Sequence, residues 1–195
     1  VKKYNLSREK QVEYALERQK RMARAMEEGR FEEQIVPITV PKRKGDPVVF
    51  AQDEHPRPNS SLDGLAKLSP VFLKGGTVTA GNSSGLNDAA SALVVMSREK
   101  AEELGLPPMA VIRETAIAGV DPNIMGIGPV PAVRKVLEKS GLSLDDIDLI
   151  ELNEAFAAQV LACDRELHFD RKKLNVNGGA IAHGHPLGAT GAILM

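Results

Sequence analysis

The first thirty residues alternate apolar and charged positions with a helical period. In "REKQVEYALERQKRMARAMEEG" the apolar residues recur three or four positions apart, Ser7 precedes the run as a candidate N-cap, and Gly29 follows it. This spacing predicts one long surface helix over residues 8–28. We interpret its basic residues as a solvated helix face rather than a phosphate-binding strip; they are Arg18, Lys20, Arg21 and Arg24.

The remaining pattern changes between a period of two and a period of 3.6. "QIVPITVP" predicts a strand bounded by prolines, "KRKGDP" a turn, and "VVFAQDEHPRPNSS" a short strand that leads into a loop. A β-prone run at "TVTAG" enters a small-residue loop and a short helix, and "ALVVMS" reads as a strand buried on both faces.

From residue 98 onward, predicted helices and strands alternate. The helices are "REKAEELG", "AVRKVLEKSG" and "EAFAAQVLACDREL", and the strands are "MAVIRETAIAG", "IDLIELN" and a last one near "LNVN". This alternation predicts an α/β fold of layered helices around a mixed sheet. Residues 1–77 are predicted to form a less regular subdomain attached to it.

Composition narrows the class of protein. The 195 residues are 43% hydrophobic, and 25 Lys and Arg balance 26 Asp and Glu to a net charge of −1. That balance does not favour nucleic acid or an anionic membrane as the main partner. The single cysteine, Cys163, excludes an internal disulfide framework, and no signal segment or membrane-spanning apolar run is present, so we expect a cytoplasmic protein.

One polar constellation follows the predicted strand "IDLIEL". Asn153 and Glu154 stand between that strand and a helix, where α/β folds place sites. Asn153 either caps the helix or turns its amide toward a ligand, and the sequence leaves both open. Cys163 lies within the apolar stripe of the helix, so we read it as a buried core residue rather than a nucleophile.

The glycine-rich segment "NVNGGAIAHGHPLGATGAILM" is the second constellation. Its glycines allow close backbone approach, and its last residues open a helix whose free N–H groups favour an anionic group. His183 and His185 lack the neighbouring carboxylates and cysteines of a zinc or iron site, so no metal is predicted. A histidine in this turn suits proton exchange or donation to a carbonyl oxygen. No nucleotide-binding fingerprint is present.

A third set of residues, in the loops before residue 90, bears on ligand size. It offers one cation, apolar walls and a small hydroxyl, which suit a long ligand with a phosphate end and an amide-bearing arm. Scattered loop residues without a shared role remain the alternative. The set comprises Arg57, Leu68, Phe72, Ala80 and Ser84.

Four motifs occur in order: "GTVTAGNSSGLNDAASAL", "IMGIGPVPA", "IELNEAFAAQ" and "NVNGGAIAHGHPLGATGA". With them the sequence resembles the thiolases, the acetyl-CoA acetyltransferases and 3-ketoacyl-CoA acyltransferases, over essentially its whole length. The resemblance implies the layered α/β/α/β/α thiolase fold, incomplete here. It divides the chain into a CoA-binding loop subdomain (1–77), the end of the N-terminal half (78–97) and a truncated C-terminal half (98–195).

The resemblance also implies chemistry: Claisen condensation of two acetyl-CoA molecules, or the reverse thiolysis, through an acyl-cysteine. His185 resembles the histidine that activates the cysteine, and Asn153 the residue that holds a water for the enolate oxyanion. Ser84 resembles the hydroxyl on the pantetheine arm and Arg57 the cation near the nucleotide. The walls around the arm and acyl group would be Leu68, Phe72, Ala80, Met125 and Phe156.

The sequence departs from the thiolase pattern at several positions, and these departures bear on whether the chain alone is active. The two reactive cysteines of thiolases would lie outside residues 1–195, Cys163 matches neither, and Ala89 and His183 replace a glycine and a commonly apolar residue. The chain alone is therefore predicted to be inactive. The expected substrates are acyl-CoA and CoA without a further cofactor, with acetoacetyl-CoA favoured, and the complete protein is expected to be a homodimer or homotetramer. The alternative is a non-catalytic CoA-binding fragment or a subunit completed by a separate chain.

Overall fold

The computed structural model describes residues 1–195. Helix α1 (Arg8–Glu27) begins where the pattern predicts, because the Ser7 side chain accepts a hydrogen bond from the Lys10 N–H. Gly29 then adopts a φ of 69°, which ends the helical path. The predicted long helix is confirmed.

The regular elements are mostly helices. The two strands are β1 (Ile38–Val40) and β2 (Val48–Phe50), which pair antiparallel with Thr39 opposite Val49. Single 3₁₀ turns occupy Lys2–Tyr4, Ala80–Asn82 and Leu144–Asp146, and Pro122–Ile127 is a 3₁₀ segment with a kink at Ile124. The other helices are α2 (Leu62–Ala66), α3 (Arg98–Glu103), α4 (Pro129–Ser140), α5 (Ala157–Leu167), α6 (Ala180–His183) and α7 (Thr190–Ile193).

The main core lies between α1 and α5. Apolar residues of α1 such as Val12 and Leu16 belong to one buried cluster with Val160 and Leu161 of α5 and with Leu174. The N-terminal helix and the C-terminal part of the chain therefore share a core, and α1 also lies against α2 and α6. This arrangement places the buried face of α1 directly behind the glycine-rich segment.

Several predicted strands do not form within the chain. The "ALVVMS" segment was predicted to be buried on both faces, yet Val94 and Val95 are 86% and 68% exposed. No backbone hydrogen bond pairs this segment, or residues 109–119, with another strand. A strand exists only with a hydrogen-bonding neighbour, and residues 1–195 supply none at these places. Of the predicted mixed sheet, a parallel bridge between Ile150 and Leu174 is present.

The basic residues of α1 correct a second prediction. Arg18 is 1% exposed, and its Nη1 donates to the carbonyls of Leu174 (2.9 Å) and Asn175 (3.3 Å). Arg21 donates from its own Nη1 to the Leu174 carbonyl at 2.8 Å. The prediction of a solvated face is wrong for these arginines, because the glycine-rich segment and the residues before it carry carbonyls without strand partners, and α1 satisfies them.

Large apolar side chains remain exposed outside the core. Only 36 of 195 residues are buried, and Leu86, Met109 and Ile117 are each at least 88% exposed. Exposed apolar surface on this scale marks a binding or association surface rather than an ordinary solvated exterior. None of the helices combines the length and the apolar character needed to cross a lipid bilayer.

Candidate active site

Three chain segments meet at one end of the core. Ser83 pairs with Phe156 in an antiparallel bridge, and Leu86 pairs with His185 in a parallel one. The Ser84 N–H donates to the Ala155 carbonyl at 3.0 Å. The small-residue loop at residues 83–87 is therefore held between the two constellations that the sequence singles out.

Asn153 and His185 are adjacent in this site. The Asn153 Nδ2 lies 3.3 Å from the His185 Nε2, so the fold brings the two constellations together. Asn153 does not cap a helix, because α5 begins at Ala157 and Phe156 precedes it. The Asn153 Oδ1 is buried without a hydrogen-bond partner in the chain. A buried carbonyl oxygen of this kind has the capacity to hold a water or a ligand donor.

The hydrogen bonds around His185 favour one tautomer of its ring. Its Nδ1 lies 2.7 Å from the Thr190 Oγ, and that hydroxyl donates to the Pro186 carbonyl at 3.0 Å. Because the hydroxyl proton is committed to Pro186, Thr190 accepts from the imidazole, and Nδ1 carries the hydrogen. In this tautomer Nε2 carries no hydrogen and faces Asn153, which suits a proton acceptor.

Gly184 makes the turn before His185 possible. Its φ is 95°, and a Cβ at this position would lie 2.2 Å from Asn87 Oδ1. The same oxygen accepts from the His185 N–H at 3.2 Å. A residue with a side chain would be strained here and would displace Asn87, so glycine is required for the imidazole to reach the site.

A cavity opens beside the imidazole. It has a volume of about 440 Å³ and is lined by residues 86–89 on one side and 185–188 on the other. It lies on the side of the loop that carries the exposed Leu86. The site therefore has room for a reacting group next to His185.

Glu154 is buried directly behind this site and is 0% exposed. Its Oε1 accepts from the Tyr14 hydroxyl at 2.6 Å and from the Asn175 Nδ2 at 2.7 Å, and its Oε2 accepts from the Ile181 N–H at 3.3 Å. Burial raises the pKa of Glu154, while its hydrogen bonds and the nearby Arg18 act in the opposite direction.

Some predicted ligand-binding residues also come together. Phe72 and Phe156 form an edge-to-face pair with ring centroids 5.7 Å apart. Ser84 is bonded through its backbone to the residue before Phe156. Leu68 lies against Gly81, where a Cβ would meet its Cδ1 at 2.5 Å, and this places it beside Ala80.

Arg57 and Met125 stand apart from that group. The Arg57 Nη1 donates to three carbonyls of its own loop, those of Glu54, His55 and Pro56, at 2.8–3.2 Å. The Arg57 N–H donates to the Gln19 Oε1 at 2.8 Å, and the Gln19 Nε2 donates to the Ile181 carbonyl at 3.2 Å. Met125 is 71% exposed at the surface. Their predicted roles remain predictions.

Cys163 is a core residue, as predicted. It is 0% exposed, its thiol contacts the Gly126 carbonyl at 3.4 Å, and burial raises its pKa to about 11. A nucleophilic cysteine needs a low pKa and access, and Cys163 has neither. His183 is also largely buried, which lowers its pKa, and the loop that carries Asp53 and His55 contributes opposing electrostatic effects on it.

Sequence reasoning missed the residues that support the site. Tyr14 and Arg18 lie four residues apart on the same face of α1 as buried apolar residues, so their period indicated burial. Thr190 follows His185 by five residues and was treated only as part of a helix start. The helical periodicity of α1 indicated that Tyr14 and Arg18 are buried. No local signal indicated that Glu154 accepts hydrogen bonds from Tyr14 and Asn175.

Comparison with known proteins identifies the family. The thiolase N-terminal domain family matches residues 1–99, and the thiolase C-terminal domain family matches residues 106–195. An acetyl-CoA acetyltransferase of Chromobacterium violaceum is 54% identical over 193 residues, which are 99% of this chain and 49% of that protein. The chain belongs to the thiolase family.

Solved structures agree on the fold. The acetyl-CoA acetyltransferase of Bacillus anthracis superposes with a TM-score of 0.97 at 55% identity, covering 100% of this chain and 49% of that one. Human mitochondrial 3-ketoacyl-CoA thiolase in complex with CoA superposes with a TM-score of 0.88 at 46% identity. The match covers 98% of this chain and 47% of the human chain. The predicted thiolase α/β fold is confirmed. The chain spans about half the length of these relatives, and its predicted division at residues 77 and 97 remains a prediction.

Proposed function

We propose that this chain supplies half of the active site of a thiolase that transfers acyl groups between coenzyme A thioesters. The observation that carries the proposal is the pair formed by His185 Nε2 and Asn153 Nδ2 at 3.3 Å, with the imidazole oriented by Thr190. This pair supplies a proton acceptor and an amide beside a cavity, which are the groups that acyl transfer to a thiol requires.

The first half-reaction makes an acyl-cysteine. A cysteine outside residues 1–195 gives its thiol proton to His185 Nε2, and its sulfur attacks the thioester carbon. The carbon–sulfur bond to CoA then breaks, and an acid outside this chain gives the leaving CoA thiolate the proton that makes free CoA, while His185 Nε2 keeps the proton of the cysteine. Cys163 cannot replace that nucleophile, because it is buried in the core with a raised pKa.

The second half-reaction forms a carbon–carbon bond. A base outside this chain removes an α-proton from a second acetyl-CoA, and the enolate carbon attacks the acyl-cysteine and releases the cysteine sulfur. The product is acetoacetyl-CoA, and thiolysis is the reverse. A donor from His185 and a water held by Asn153 would face the enolate oxygen, each worth roughly 3–4 kcal/mol in a preorganised site.

The rest of the ligand would lie across the loops before residue 90. Ser84 would contact the pantetheine arm and Arg57 the nucleotide end. The CoA complex of the human relative, 46% identical to this chain, supports a CoA thioester as the ligand. By resemblance to thiolases, the walls of the proposed channel would be Leu68, Phe72, Ala80, Met125 and Phe156. The Phe72–Phe156 pair and the contact of Leu68 with Gly81 support that placement for these three side chains.

The remaining attributes belong to the complete protein. We propose a short-chain substrate such as acetoacetyl-CoA, no resident metal or cofactor, a role in fatty acid metabolism, a cytoplasmic location, and a homodimer or homotetramer. The acetyl-CoA acetyltransferases among the relatives support the short-chain choice. Initial rates of the complete protein on acetoacetyl-CoA and on a long-chain 3-ketoacyl-CoA test the short-chain choice. A higher rate on the long-chain substrate contradicts it.

A second candidate is a subunit completed by a separate polypeptide. The exposed apolar segments at residues 93–96 and 109–117 favour it, because a folded protein covers surface of this kind. An adjoining reading frame that encodes the missing cysteine would support this arrangement. A single continuous reading frame would contradict it.

The proposal is tested with the chain and with a chimera. The purified chain, given acetoacetyl-CoA and CoA, is expected to leave the 3-ketoacyl thioester unchanged. The chimera carries these 195 residues in place of the matching segment of the Bacillus anthracis acetyl-CoA acetyltransferase, and it is expected to catalyse thiolysis. H185N and N153A should each lower its kcat at least about 10²-fold. Turnover by the chain alone, or full activity of H185N, contradicts the proposal.

A further inference from the structure

Glu154 occupies an unusual position for a carboxylate. It follows Asn153 directly, precedes α5, and is completely buried with Arg18 Nε 3.9 Å from its Oε1. Burying a carboxylate and a guanidinium costs free energy that a well-packed apolar pair would not. This cost indicates that Glu154 has a role beyond packing.

The partners of Glu154 come from three different parts of the chain. Tyr14 belongs to α1, Asn175 precedes the glycine-rich turn, and Ile181 belongs to α6. All three donate hydrogen bonds to Glu154, so both oxygen positions of its side chain must be acceptors. A carboxylate satisfies all of them, whereas a carboxamide would turn its NH₂ toward at least one donor.

These bonds fix the two site segments relative to each other. Asn175 also holds the backbone of Leu152, because its Oδ1 accepts from the Leu152 N–H and its Nδ2 donates to the Leu152 carbonyl, both at 2.8 Å. Ile181 lies in the helix that ends two residues before His185. One carboxylate thus links the backbone on both sides of the site.

The fit between Glu154 and the glycine-rich segment is tight. A Cβ on Gly179 would lie 2.3–2.6 Å from the carboxylate carbon and oxygens. The carboxylate therefore rests against the backbone at the start of α6, and a shift of either one moves the other.

We propose that Glu154 is a positioning residue for acyl transfer, whose buried carboxylate sets the separation between the Asn153 carboxamide and the His185 imidazole. This inference rests on the proposed function of that pair. Glu154 does not touch the substrate, so its loss should reduce kcat and leave KM nearly unchanged. A misplacement of about 1 Å in a catalytic pair is enough to cost roughly 10²-fold in rate.

The test uses the active chimera and two variants of different severity. E154Q keeps the shape but presents an NH₂ to a donor, and it should lower kcat roughly 10²-fold. Y14F removes one of the three donors, and it should lower kcat about tenfold. E13Q changes an exposed glutamate of the same helix and should match the parent. KM for acetoacetyl-CoA should change less than about twofold in all three.

A double-mutant cycle separates positioning from general destabilisation. If Tyr14 and Glu154 act through Asn153, then Y14F in an N153A background should cause little further loss of kcat. Equal fractional loss in both backgrounds, or kcat within twofold of the parent for Y14F, overturns the inference. Y14F also decides the question if E154Q fails to fold.

A structural arm keeps this inference distinct from the proposed function. If the parent chimera is inactive, the function has failed, and the crystal structures of the parent and of Y14F still decide the positioning role. An Asn153–His185 separation that lengthens in Y14F supports the role. A separation that stays at the parent value in Y14F, with Glu154 in place, overturns it.

Discussion

The backbone of Gly179 lies against the carboxylate of Glu154, so close that a Cβ on Gly179 would fall 2.3 Å from the Glu154 Cδ. This contact joins the glycine-rich segment to the residue that follows Asn153. Because both groups are buried, neither can move aside into solvent.

G179A should destabilise the folded chain. The added methyl overlaps the buried carboxylate, and overpacking of this kind costs about 1–3 kcal/mol. The measurement is urea unfolding followed by far-UV circular dichroism. G191A is the matched control, because a Cβ at Gly191 meets nothing within 4 Å. Equal unfolding free energies for the two variants would contradict the contact.

Stability should fall as the pH falls below the ordinary range of histidine. Burial lowers the pKa of His183 below the usual value of 6.5. It also lowers the pKa of the nearby His55, which is less completely buried. Below pH 6.5 the unfolded chain therefore binds more protons than the folded chain, and acid favours unfolding. H183N should flatten the fall in melting temperature between pH 6.5 and the lowered pKa.

H168N is the control for this titration. His168 is exposed and holds a left-handed backbone conformation that asparagine tolerates, with φ at 54°. This variant should keep the pH dependence of the parent. A parallel pH profile for H183N and the parent would show that His183 does not contribute.

Cys163 should report unfolding. Burial raises its pKa to about 11 and removes it from solvent, so little thiolate is present or accessible in the folded chain. Reaction with a chromogenic disulfide at pH 8 should be at least about 100-fold slower in the folded chain than in urea. Since the chain has no other cysteine, the signal belongs to Cys163 alone. A folded rate equal to that in urea would place the thiol at the surface.

Thr190 should matter through its hydroxyl. T190V removes the acceptor for His185 Nδ1–H, which frees the ring to rotate or change tautomer. In the active chimera this should lower kcat about 10–10²-fold. T190S keeps the hydroxyl and should retain activity within about threefold. An active T190V would mean that another group orients the imidazole.

The longer helices α1, α4 and α5 could be predicted because each carries its own signals, whereas α2 and α6 were not predicted and the short helix expected after "TVTAG" does not form. Ser7 and Gly29 bracket α1, and Gly141 follows α4 with a φ of 69°. A strand also needs a neighbouring strand, and the hydrophobic periodicity of a segment does not show which segment that is. "ALVVMS" has the composition of a buried strand, but no other segment of residues 1–195 forms backbone hydrogen bonds with it.

The site shows the same division between local and distant information. Asn153 and His185 stand out because their motifs are compact, and the structure brings them together. The acceptor role of Glu154 depends on Tyr14, which is 140 residues away in sequence. Whether a buried carboxylate is satisfied is a property of the folded chain, so a single sequence does not display it.

Gln19 joins two segments of the chain that are far apart in sequence. One carboxamide receives the Arg57 N–H through its oxygen and gives its own N–H to the Ile181 carbonyl. The loop that carries Arg57 and the helix that leads to the imidazole are thus held by the same side chain of α1. Substitution of Gln19 would release both segments at once.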